Sequence, residues 1–396
     1  MTSIYLNSDH ADFRAELRAF LDTRITPHLD DWEAARVIPR HAWKELGAAG
    51  YLGLNFAEAD GGTARDIFHS VVLWEELGRT GYAGFRATVA LHAYMACPYL
   101  SAFASPQLKE QYLRPAVRGE LIAGLALTEP QAGSNLQDLS LRAREDGEVY
   151  RLTGTKKYII NSTSADFYVV AVRTPTTAPV RASASDVSLL LVDASAQGLR
   201  RRPIDNLGYH CSDTGTLEFE DVRVAKTHVI GRPTQGFFYL MKNLQLERLV
   251  VACMAIGGID RCLDDTWDYV VRRRVGGQAL SEYQALRHRL ADLVAQTEAA
   301  RQLAYHVAWN YGRGDLPFAE CSMVKLNATE LASRTVFECM QFHGAYGYQD
   351  SASISRMYRD TQVSTIGAGA SEVMRDLIAQ LTFDEAGWRR KQPLSP

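Results

Sequence analysis

The spacing of apolar residues changes twice along the chain. Up to Gly119 they recur every three or four positions, as they do on one face of an α-helix. Short runs rich in β-branched and aromatic residues follow, and from Gly236 the helical period returns. The pattern predicts an α+β chain with an N-terminal helical domain at 1–120, a central β domain at 121–234 and a C-terminal helical domain at 235–396.

A capped amphipathic helix is predicted at the start of the N-terminal region. Asn7, Ser8 and Asp9 offer side-chain oxygens to the free N–H groups of a first helical turn. The apolar residues that share one face of this helix are Phe13, Leu17, Phe20 and Leu21. Further helices are predicted over 68–77 and 87–103. In the C-terminal region the clearest apolar stripe is formed by Leu286, Leu290, Leu293 and Val294.

The central region predicts strands joined by turns. The β-rich runs lie at 149–153, 158–160, 167–172, 188–192 and 216–224. Residues 174–186 are rich in Pro, Ala, Ser and Thr, a composition that predicts an exposed loop. A polar tail is expected at 389–396.

One carboxylate interrupts the apolar side of a predicted C-terminal helix. Leu240, Leu244, Glu247 and Val251 share that side at helical spacing, and no cation stands three or four residues from Glu247. Burial would disfavour the charged form of this carboxylate, and a group tuned in that way suits proton abstraction near neutral pH. A structural ion pair with a distant arginine is the alternative explanation.

Composition narrows the classes of function. With 396 residues, 46% of them hydrophobic and 22% charged, the chain is typical of a soluble globular protein. A net charge of −3 argues against nucleic acid as the main partner, and the arginine runs at 200–202 and 272–274 are typical of solvated faces. No stretch is long and apolar enough to span a membrane. The six cysteines form no CxxC pair, which predicts neither a metal cluster nor disulfides and favours a cytoplasmic protein.

A loop with hydroxyl and amide groups follows the first part of the β region. Residues 127–135 read Leu-Thr-Glu-Pro-Gln-Ala-Gly-Ser-Asn. Its hydroxyls, its backbone amides and the close approach that Gly133 permits could cradle a flat polar ring or a phosphate, although a plain connection is the alternative. The loop resembles the Thr-Glu-Pro-x-Ala-Gly-Ser-Asp/Asn signature of the acyl-CoA dehydrogenase family of flavoproteins.

Further motifs of that family follow in the right order. They lie at 156–161 (similar to Lys-x-Trp/Tyr-Ile-Thr-Asn), 207–214, 219–224, Arg273, Gln284, 341–348, 358–360 and 366–373. Because the match spans nearly the whole chain, it is more specific than a single Gly-rich fragment. The resemblance implies a central β-barrel-like domain, a C-terminal four-helix bundle and a homotetramer built from dimers.

By resemblance, the cofactor is FAD. Its isoalloxazine ring would be held by Leu125, Leu127, Thr128, Gly133, Ser134, Tyr158, Ile159 and Ile160. The FAD of a neighbouring subunit would be reached by Arg273, Gln284, Gln341, Phe342, Gly344 and Ala345, and further cofactor contacts are assigned to Ala370, Ser371 and Glu372. A guanidinium such as that of Arg273 suits a phosphate. Taken alone, 341–348 would predict a Gly-rich helix end.

The position of the catalytic base departs from the commonest family pattern. Most members carry a glutamate in Tyr-Glu-Gly-Thr where this chain has Ala368, which cannot accept a proton. The isovaleryl-CoA dehydrogenase branch has Ile-Gly-Ala-Gly-Thr-Ser-Glu-Val there and carries its glutamate in Asp-Leu-Glu-Arg-Leu-Val, which 245–250 resembles. The resemblance therefore assigns Glu247 as the general base.

Two further departures concern the flavin. Ile160 stands where the family usually has a threonine hydroxyl near flavin N5, which is expected to alter flavin potential or oxygen reactivity. Gly276 replaces an aromatic residue, and Ala370 replaces a threonine. The flavin contacts between subunits are therefore expected to differ from those of most relatives.

The implied reaction is dehydrogenation of an acyl thioester to the 2-enoyl thioester. Glu247 would remove the α proton while a hydride leaves the β carbon for flavin N5. The substrate pocket would be lined by Ser134, Phe238, Gln245, Arg248, Ala368 and Gly369. Plain core packing is the alternative for Phe238.

The partners implied are a thioester substrate and an electron acceptor. The acyl group could be carried by CoA or by an acyl-carrier protein, and the arginines at 200–202 could contribute a basic docking surface for the carrier. The acceptor would be an electron-transfer flavoprotein or another acceptor. A flavin oxidase or monooxygenase on the same scaffold and a non-catalytic acyl- or flavin-binding protein remain alternative functions.

Overall fold

The computed structural model describes residues 3–174 and 186–385. The chain forms two compact units. Ala15–Ser70 and Gly84–Leu244 make up one, which we call the sheet unit, and Met1–Arg14, Val71–Ala83 and Gln245–Pro396 make up the other, the helical unit. The predicted order of helices, sheet and helices is confirmed. Residues 175–185 of the predicted loop and the predicted polar tail lie outside the described residues.

The first helix begins as the sequence predicts. Helix α1 (Ser8–Phe20) follows Asn7, whose Oδ1 accepts a hydrogen bond from the His10 amide at 3.1 Å. The remaining helices of this region are α2 (Leu29–Ala35), α3 (Arg40–Ala48), α4 (Ile67–Arg79), α5 (Ala83–Ala90), α6 (Cys97–Phe103), α7 (Pro106–Leu108) and α8 (Arg114–Val117). π-Helical turns occupy Leu21–Ile25, Leu91–Ala96 and Lys109–Leu113. The helix predicted over 87–103 is divided into α5, a π-helical turn and α6.

Among the residues that the structure describes, seven strands form the sheet. They are β1 (Ala123–Ala126), β2 (Arg142–Asp146), β3 (Val149–Ile159), β4 (Phe167–Arg173), β5 (Val187–Asp193), β6 (Leu199–Pro203) and β7 (Gly215–Ala225). Their order is β1-β4-β2-β3-β7-β6, with β5 paired to β4. β1 and β4 run parallel, with Leu125 opposite Val169, whereas β3 and β7 run antiparallel.

One prediction about the strands was wrong. The runs at 149–153 and 158–160 belong largely to one strand, β3, in which the register against β7 shifts between Leu152 and Gly154 and again between Lys156 and Ile159. Arg200 and Arg202 are exposed, as a solvated face requires, but the run at 200–202 also forms edge strand β6, which was not predicted. Charged side chains and a closing proline are common on edge strands, where they discourage pairing with another chain.

The core of the sheet unit packs helices against β1, β4 and β5. Phe167, Val169, Leu189 and Leu191 contribute from the strands, and Tyr99, Leu100 and Leu113 contribute from the helical segments. Residues 167–172 and 187–192 are buried at every position, so these strands carry near-continuous apolar runs. This core supports the end of β1, where the loop at 127–135 begins.

A buried histidine ties a helix to the start of β1. His92 is fully buried, its Nε2 lies 3.1 Å from the Ala116 carbonyl oxygen, and its Nδ1 accepts a hydrogen bond from the Ala123 amide at 3.0 Å. These two partners require the neutral ring with the proton on Nε2. Burial lowers the pKa of His92 to about 4, from an ordinary value of 6.5.

The depressed pKa of His92 predicts acid sensitivity. Below pH 6.5 the unfolded chain binds a proton that native His92 does not bind until about pH 4, so this residue should lower the free energy of unfolding by about 3 kcal/mol across that interval. Urea unfolding at a series of pH values measures how steeply the free energy of unfolding changes with pH. His92→Gln keeps a donor and an acceptor without titrating, and an equal slope in this variant would contradict the assignment.

Up to Glu385, where the described residues end, five helices and a two-stranded ribbon follow the sheet. They are α9 (Gly236–Arg272), α10 (Gln284–Gly312), α11 (Phe318–Gly347), α12 (Ser353–Thr361) and α13 (Ser371–Glu385), with β8 (Arg274–Val275) pairing with β9 (Gln278–Ala279) between α9 and α10. The predicted stripe on α10 was wrong at Val294, which is 55% exposed. Leu290 and Leu293 are buried, and the buried face continues through Thr297 and Ala300.

A buried charge network fixes α4 in the helical unit. Glu75 is 1% exposed and accepts hydrogen bonds from Arg14 and Arg301, both at 2.7 Å, and from the Tyr305 hydroxyl at 3.0 Å. A Cβ at Gly257 of α9 would lie 2.0 Å from the Glu75 carbonyl oxygen, so only glycine permits this helix approach. Arg301 also pairs with Asp260 of α9 at 2.7 Å, so the network holds the helix that carries Glu247.

Two predictions from composition can be checked on the described residues. No helix among them combines the length and the apolar character needed to cross a membrane. The six cysteines all lie within the described ranges, where they are free and buried.

Candidate active site

A buried ion pair shapes the loop that begins at Leu127. Lys156 Nζ donates to Glu129 Oε1 and to the Leu127 carbonyl oxygen, both at 2.8 Å, and both charged side chains are at most 1% exposed. Glu129 also accepts from the Ser140 amide at 2.7 Å. Burial lowers the pKa of Lys156 to about 8. Although burial opposes it, the Lys156 charge together with the hydrogen bonds lowers the pKa of Glu129, so the pair is ionised at neutral pH.

The structure brings the two predicted flavin segments together. The Lys157 amide donates to the Thr128 carbonyl oxygen at 2.9 Å, which joins the loop to β3. Tyr158 has a left-handed backbone with φ of 63° and a ring that is 57% exposed. Ile159 is buried and Ile160 is partly buried, so the backbone turn at Tyr158 presents one aromatic side chain outward.

The loop itself ends in an open stretch. Gly133 and Ser134 are exposed, and no atom lies within 4 Å of a Cβ built at Gly133. Leu125 is buried, whereas Leu127 and Thr128 are partly buried. The segment thus combines the buried or partly buried apolar side chains of Leu125 and Leu127 with an exposed rim, Gly133 and Ser134, that can form hydrogen bonds.

A second set of hydrogen bonds, around Asp213 and Asn161, holds the chain just after Ile160. The Asp213 carboxylate accepts hydrogen bonds from the amides of Thr163 at 2.7 Å and Ser164 at 2.6 Å. Asn161 Nδ2 donates to the Ala123 carbonyl oxygen at 3.0 Å. These contacts fix the chain directly after the segment that carries Tyr158 and Ile160.

Glu247 is buried on α9, as predicted. It is 4% exposed, and the neighbouring Gln245 and Arg248 are 1% and 7% exposed. Burial lowers the pKa of the adjacent Arg248, and the Glu247 charge acts in the opposite direction. Arg248 Nη1 donates to Gln245 Oε1 at 3.1 Å and to Ser322 Oγ at 3.3 Å.

The segment at 368–369 forms a tight turn before α13. Ala368 and Gly369 both have left-handed backbones, with φ of 52° and 99°, and both are partly buried. Lys325 Nζ donates to the Gly369 carbonyl oxygen at 2.6 Å. Ala370 is partly buried, Ser371 is buried and Glu372 is exposed.

Phe238 is not a core residue. Its side chain is 64% exposed, which rules out plain core packing. The exposed ring is available for a ligand or for another chain.

The residues assigned to a neighbouring subunit's cofactor differ in exposure. Arg273, Gln284, Gln341, Gly344 and Ala345 are exposed, but Phe342 is 6% exposed and clusters with Val270 and Leu290. Phe342 therefore offers its backbone, not its ring, to a ligand.

A stacked aromatic group fixes the loop at 341–345. The rings of Tyr269 and His343 stack with centroids 4.4 Å apart, and the Tyr269 hydroxyl donates to the His343 carbonyl oxygen at 3.2 Å. The following Gly344 has φ of 57° and ψ of −142°, which kinks α11 near its end.

The arginines at 200–202 do not form a free basic surface. Arg200 pairs with Glu220 and Arg202 pairs with Glu218 at 3.2 Å, both across the strands, while Arg201 donates to the Thr163 carbonyl oxygen at 2.8 Å. The predicted contribution of this run to carrier-protein docking loses its main support.

Sequence reasoning missed the residues that hold these segments in place. They are Glu129, Lys156, Asp213 and Lys325. Glu129 and Lys156 lie inside quoted motifs, and Asp213 lies within 207–214, so motif position could have indicated them. Lys325 lies outside the quoted motifs, and only its contacts identify it.

Family models match the chain in three successive parts. The acyl-CoA dehydrogenase N-terminal domain matches residues 7–120, the middle domain matches 124–222 and the C-terminal domain matches 234–382. Together they cover most of the chain.

Individual proteins show the same likeness. Long-chain specific acyl-CoA dehydrogenase of Sus scrofa is 32% identical over 94% of this chain and 86% of its own length. Isovaleryl-CoA dehydrogenase of Bos taurus is 31% identical over 95% and 88%. An acyl-CoA dehydrogenase structure from Geobacillus kaustophilus has a TM-score of 0.92 and 37% identity, over 96% of this chain and 100% of that one.

A further solved structure concerns the cofactor. Glutaryl-CoA dehydrogenase from Mycobacterium smegmatis, in complex with FADH2, has a TM-score of 0.89 and 25% identity over 96% of each chain. With the match of all three domain models and relatives above 30% identity, the chain belongs to the acyl-CoA dehydrogenase family of oxidoreductases.

Proposed function

We propose that this chain is an FAD-dependent dehydrogenase that converts an acyl thioester into the 2-enoyl thioester, with Glu247 as its general base. The base assignment rests on two positions taken together: a carboxylate is present at one and absent from the other. Glu247 is buried on α9, and Ala368 stands where most relatives carry the catalytic glutamate. A buried carboxylate is the group that proton abstraction requires, and the usual position cannot supply one.

The residues of the sheet unit fit a flavin. The isoalloxazine ring is flat and largely apolar, with a polar edge. Leu127 and Ile160 offer partly buried apolar surface, Tyr158 offers an exposed ring, and the open rim at Gly133 and Ser134 offers backbone and hydroxyl groups. The hydrogen bonds of Lys156 and Asp213 keep these residues in place before a ligand binds, which reduces the loss of conformational entropy on binding.

Each group of the chain has a distinct task in the reaction. FAD, when bound, supplies the acceptor for the hydride that leaves the β carbon. Glu247 removes the α proton. Backbone groups of the turn at Ala368 and Gly369 orient the thioester carbonyl and stabilise the charge that develops on its oxygen. Gln245 and Arg248 of the helical unit contribute side chains to the acyl pocket.

CoA is the proposed carrier of the acyl group. The arginines at 200–202 are engaged with Glu218, Glu220 and backbone carbonyls, so they do not supply the basic surface that an acyl-carrier protein would bind. The curated relatives above are also named for CoA substrates.

The proposed assembly is a homotetramer. Arg273, Gln284 and Gln341 are exposed in the single chain, as residues that bind a neighbouring subunit's FAD must be before assembly. Several large apolar side chains of the helical unit are also exposed, and exposed apolar surface favours an interface: Trp267, Phe337, Tyr348 and Ile366.

The proposed electron acceptor is an electron-transfer flavoprotein, and the proposed location is the cytoplasm. The six free cysteines suit a reducing compartment.

Anaerobic mixing of the purified flavoprotein with a panel of acyl-CoA and acyl-carrier thioesters tests the function. We expect loss of the oxidised-flavin absorbance with at least one acyl-CoA and formation of the 2-enoyl product. A colourless protein that takes up no FAD would contradict the proposal. Rapid reoxidation when air is admitted would favour an oxidase, an alternative that the absence of a hydroxyl at Ile160 leaves open.

A further inference from the structure

Lys325 of α11 is a buried cation in the helical unit. Its side chain is 0% exposed, and Nζ donates to the Gly369 carbonyl oxygen at 2.6 Å. Burying an ammonium group is costly, and a methionine of similar length would avoid that cost. Lys325 is therefore better explained by its hold on the Gly369 carbonyl oxygen than by a contribution to the stability of the fold.

The same helix face also contacts the helix of the catalytic base. Ser322 lies one turn before Lys325 and accepts a hydrogen bond from Arg248 Nη1 at 3.3 Å. Arg248 follows Glu247 directly in α9. Helix α11 thus bonds to the turn at Ala368 and Gly369 through Lys325, and to the base helix through Ser322.

The turn needs such support because its backbone is unusual. Ala368 has φ of 52°, a conformation that residues other than glycine rarely adopt. A short, charge-assisted hydrogen bond to Gly369 restrains the turn at its centre.

We propose that Lys325 is a positioning residue, which holds the turn at Ala368 and Gly369 so that its backbone meets the substrate thioester. This inference rests on the proposed function, because the turn is assigned to the thioester there. Lys325 touches the turn and not the reacting atoms, so it acts through Gly369.

The charges around Lys325 give the proposal a pH signature. Burial, and then the Arg248 charge from α9, lower the pKa of Lys325 to about 8, while Glu330 of α11 and Glu372 of α13 act in the opposite direction. Above pH 8 the ammonium becomes a neutral amine and its hydrogen bond to Gly369 weakens. The turnover number should therefore fall as pH rises through 8.

Two substitutions separate positioning from folding. Lys325→Met should fold, bind FAD fully and unfold at an equal or higher temperature, since it removes a buried charge. Its kcat should fall about tenfold with KM changed less, because the lost contact acts in the transition state. Lys325→Arg keeps a permanent cation, so it should retain most activity and lose the decline above pH 8.

Thr329→Val is the matched control. Its hydroxyl donates to the Lys325 carbonyl oxygen at 2.8 Å within α11, so its loss alters a buried polar group of the same helix and leaves the turn alone. We expect its kcat and pH profile to match those of the wild type.

The outcomes distinguish the proposal from the function on which it rests. A wild-type protein that reacts with acyl-CoA, together with a Lys325→Met variant of equal kcat, overturns the role of Lys325 alone. An unchanged decline above pH 8 in Lys325→Arg also overturns it, even if Lys325→Met fails to fold. A wild-type flavoprotein that reacts with no thioester overturns both proposals.

Discussion

Glu247→Gln should keep its FAD and lose flavin reduction by acyl-CoA about 10³- to 10⁴-fold, the range expected when a general base is removed. The substitution keeps the size and hydrogen-bonding shape of a side chain that is 4% exposed, so the fold should persist. Anaerobic stopped-flow absorbance measures the rate of flavin reduction, and the flavin-to-protein absorbance ratio measures cofactor content.

Two further variants sharpen the result for Glu247. Asp264→Asn changes an exposed carboxylate of the same helix, which pairs with Arg79 at 2.7 Å, and should reduce flavin within about twofold of the wild-type rate. Ala368→Glu in the Glu247→Gln background places a carboxylate at the position most relatives use and should recover part of the rate. A Glu247→Gln variant as fast as the wild type would show that another residue is the base.

Lys156→Met should lower the free energy of unfolding by about 3–5 kcal/mol, because it leaves the Glu129 carboxylate buried without its cation. The pair is at most 1% exposed, and Lys156 also holds the Leu127 carbonyl oxygen at 2.8 Å. The loop at 127–135 should therefore loosen, and FAD should dissociate more readily. Urea unfolding and flavin retention after gel filtration measure the two effects.

The surface pair of Lys226 and Glu145 provides the comparison for Lys156. Its atoms lie 2.9 Å apart, much like the buried pair, but Glu145 is 57% exposed, so Lys226→Met should cost much less stability than Lys156→Met. Adding Glu129→Gln to Lys156→Met removes the uncompensated charge and should recover part of the stability. A loss below 1 kcal/mol for Lys156→Met alone would contradict the assigned role of the pair.

The fold was predictable because its signals are local. Helical period, the cap at Asn7 and the β-rich runs depend on residues a few positions apart, and the structure confirms the order of helices and sheet. The errors occurred where a local signal is ambiguous. The charge-rich run at 200–202 contains no apolar alternation, yet pairing with β7 makes it a strand, and the apolar Val294 falls on the exposed side of α10.

For the candidate site, too, local signals could be read from the sequence and contacts between distant residues could not. Motif order was enough to name the family and to propose the flavin segments and Glu247 as the base in place of position 368, because each motif is read from adjacent residues. The burial of Glu247 followed from its place on an apolar helix side. The nearby Arg248 charge did not, because its direction depends on how α9 packs.

Long-range contacts account for what sequence could not supply. Lys156 bonds to Glu129 across 27 positions, and Lys325 bonds to Gly369 across 44. A lysine in a sequence carries no sign of whether it will be solvated or buried against a particular oxygen, since folding alone chooses its neighbours. The linear pattern of residues thus established the family, the element order and the carboxylate proposed as base, whereas packing established which buried charges hold the loop at 127–135 and the turn at Ala368 and Gly369.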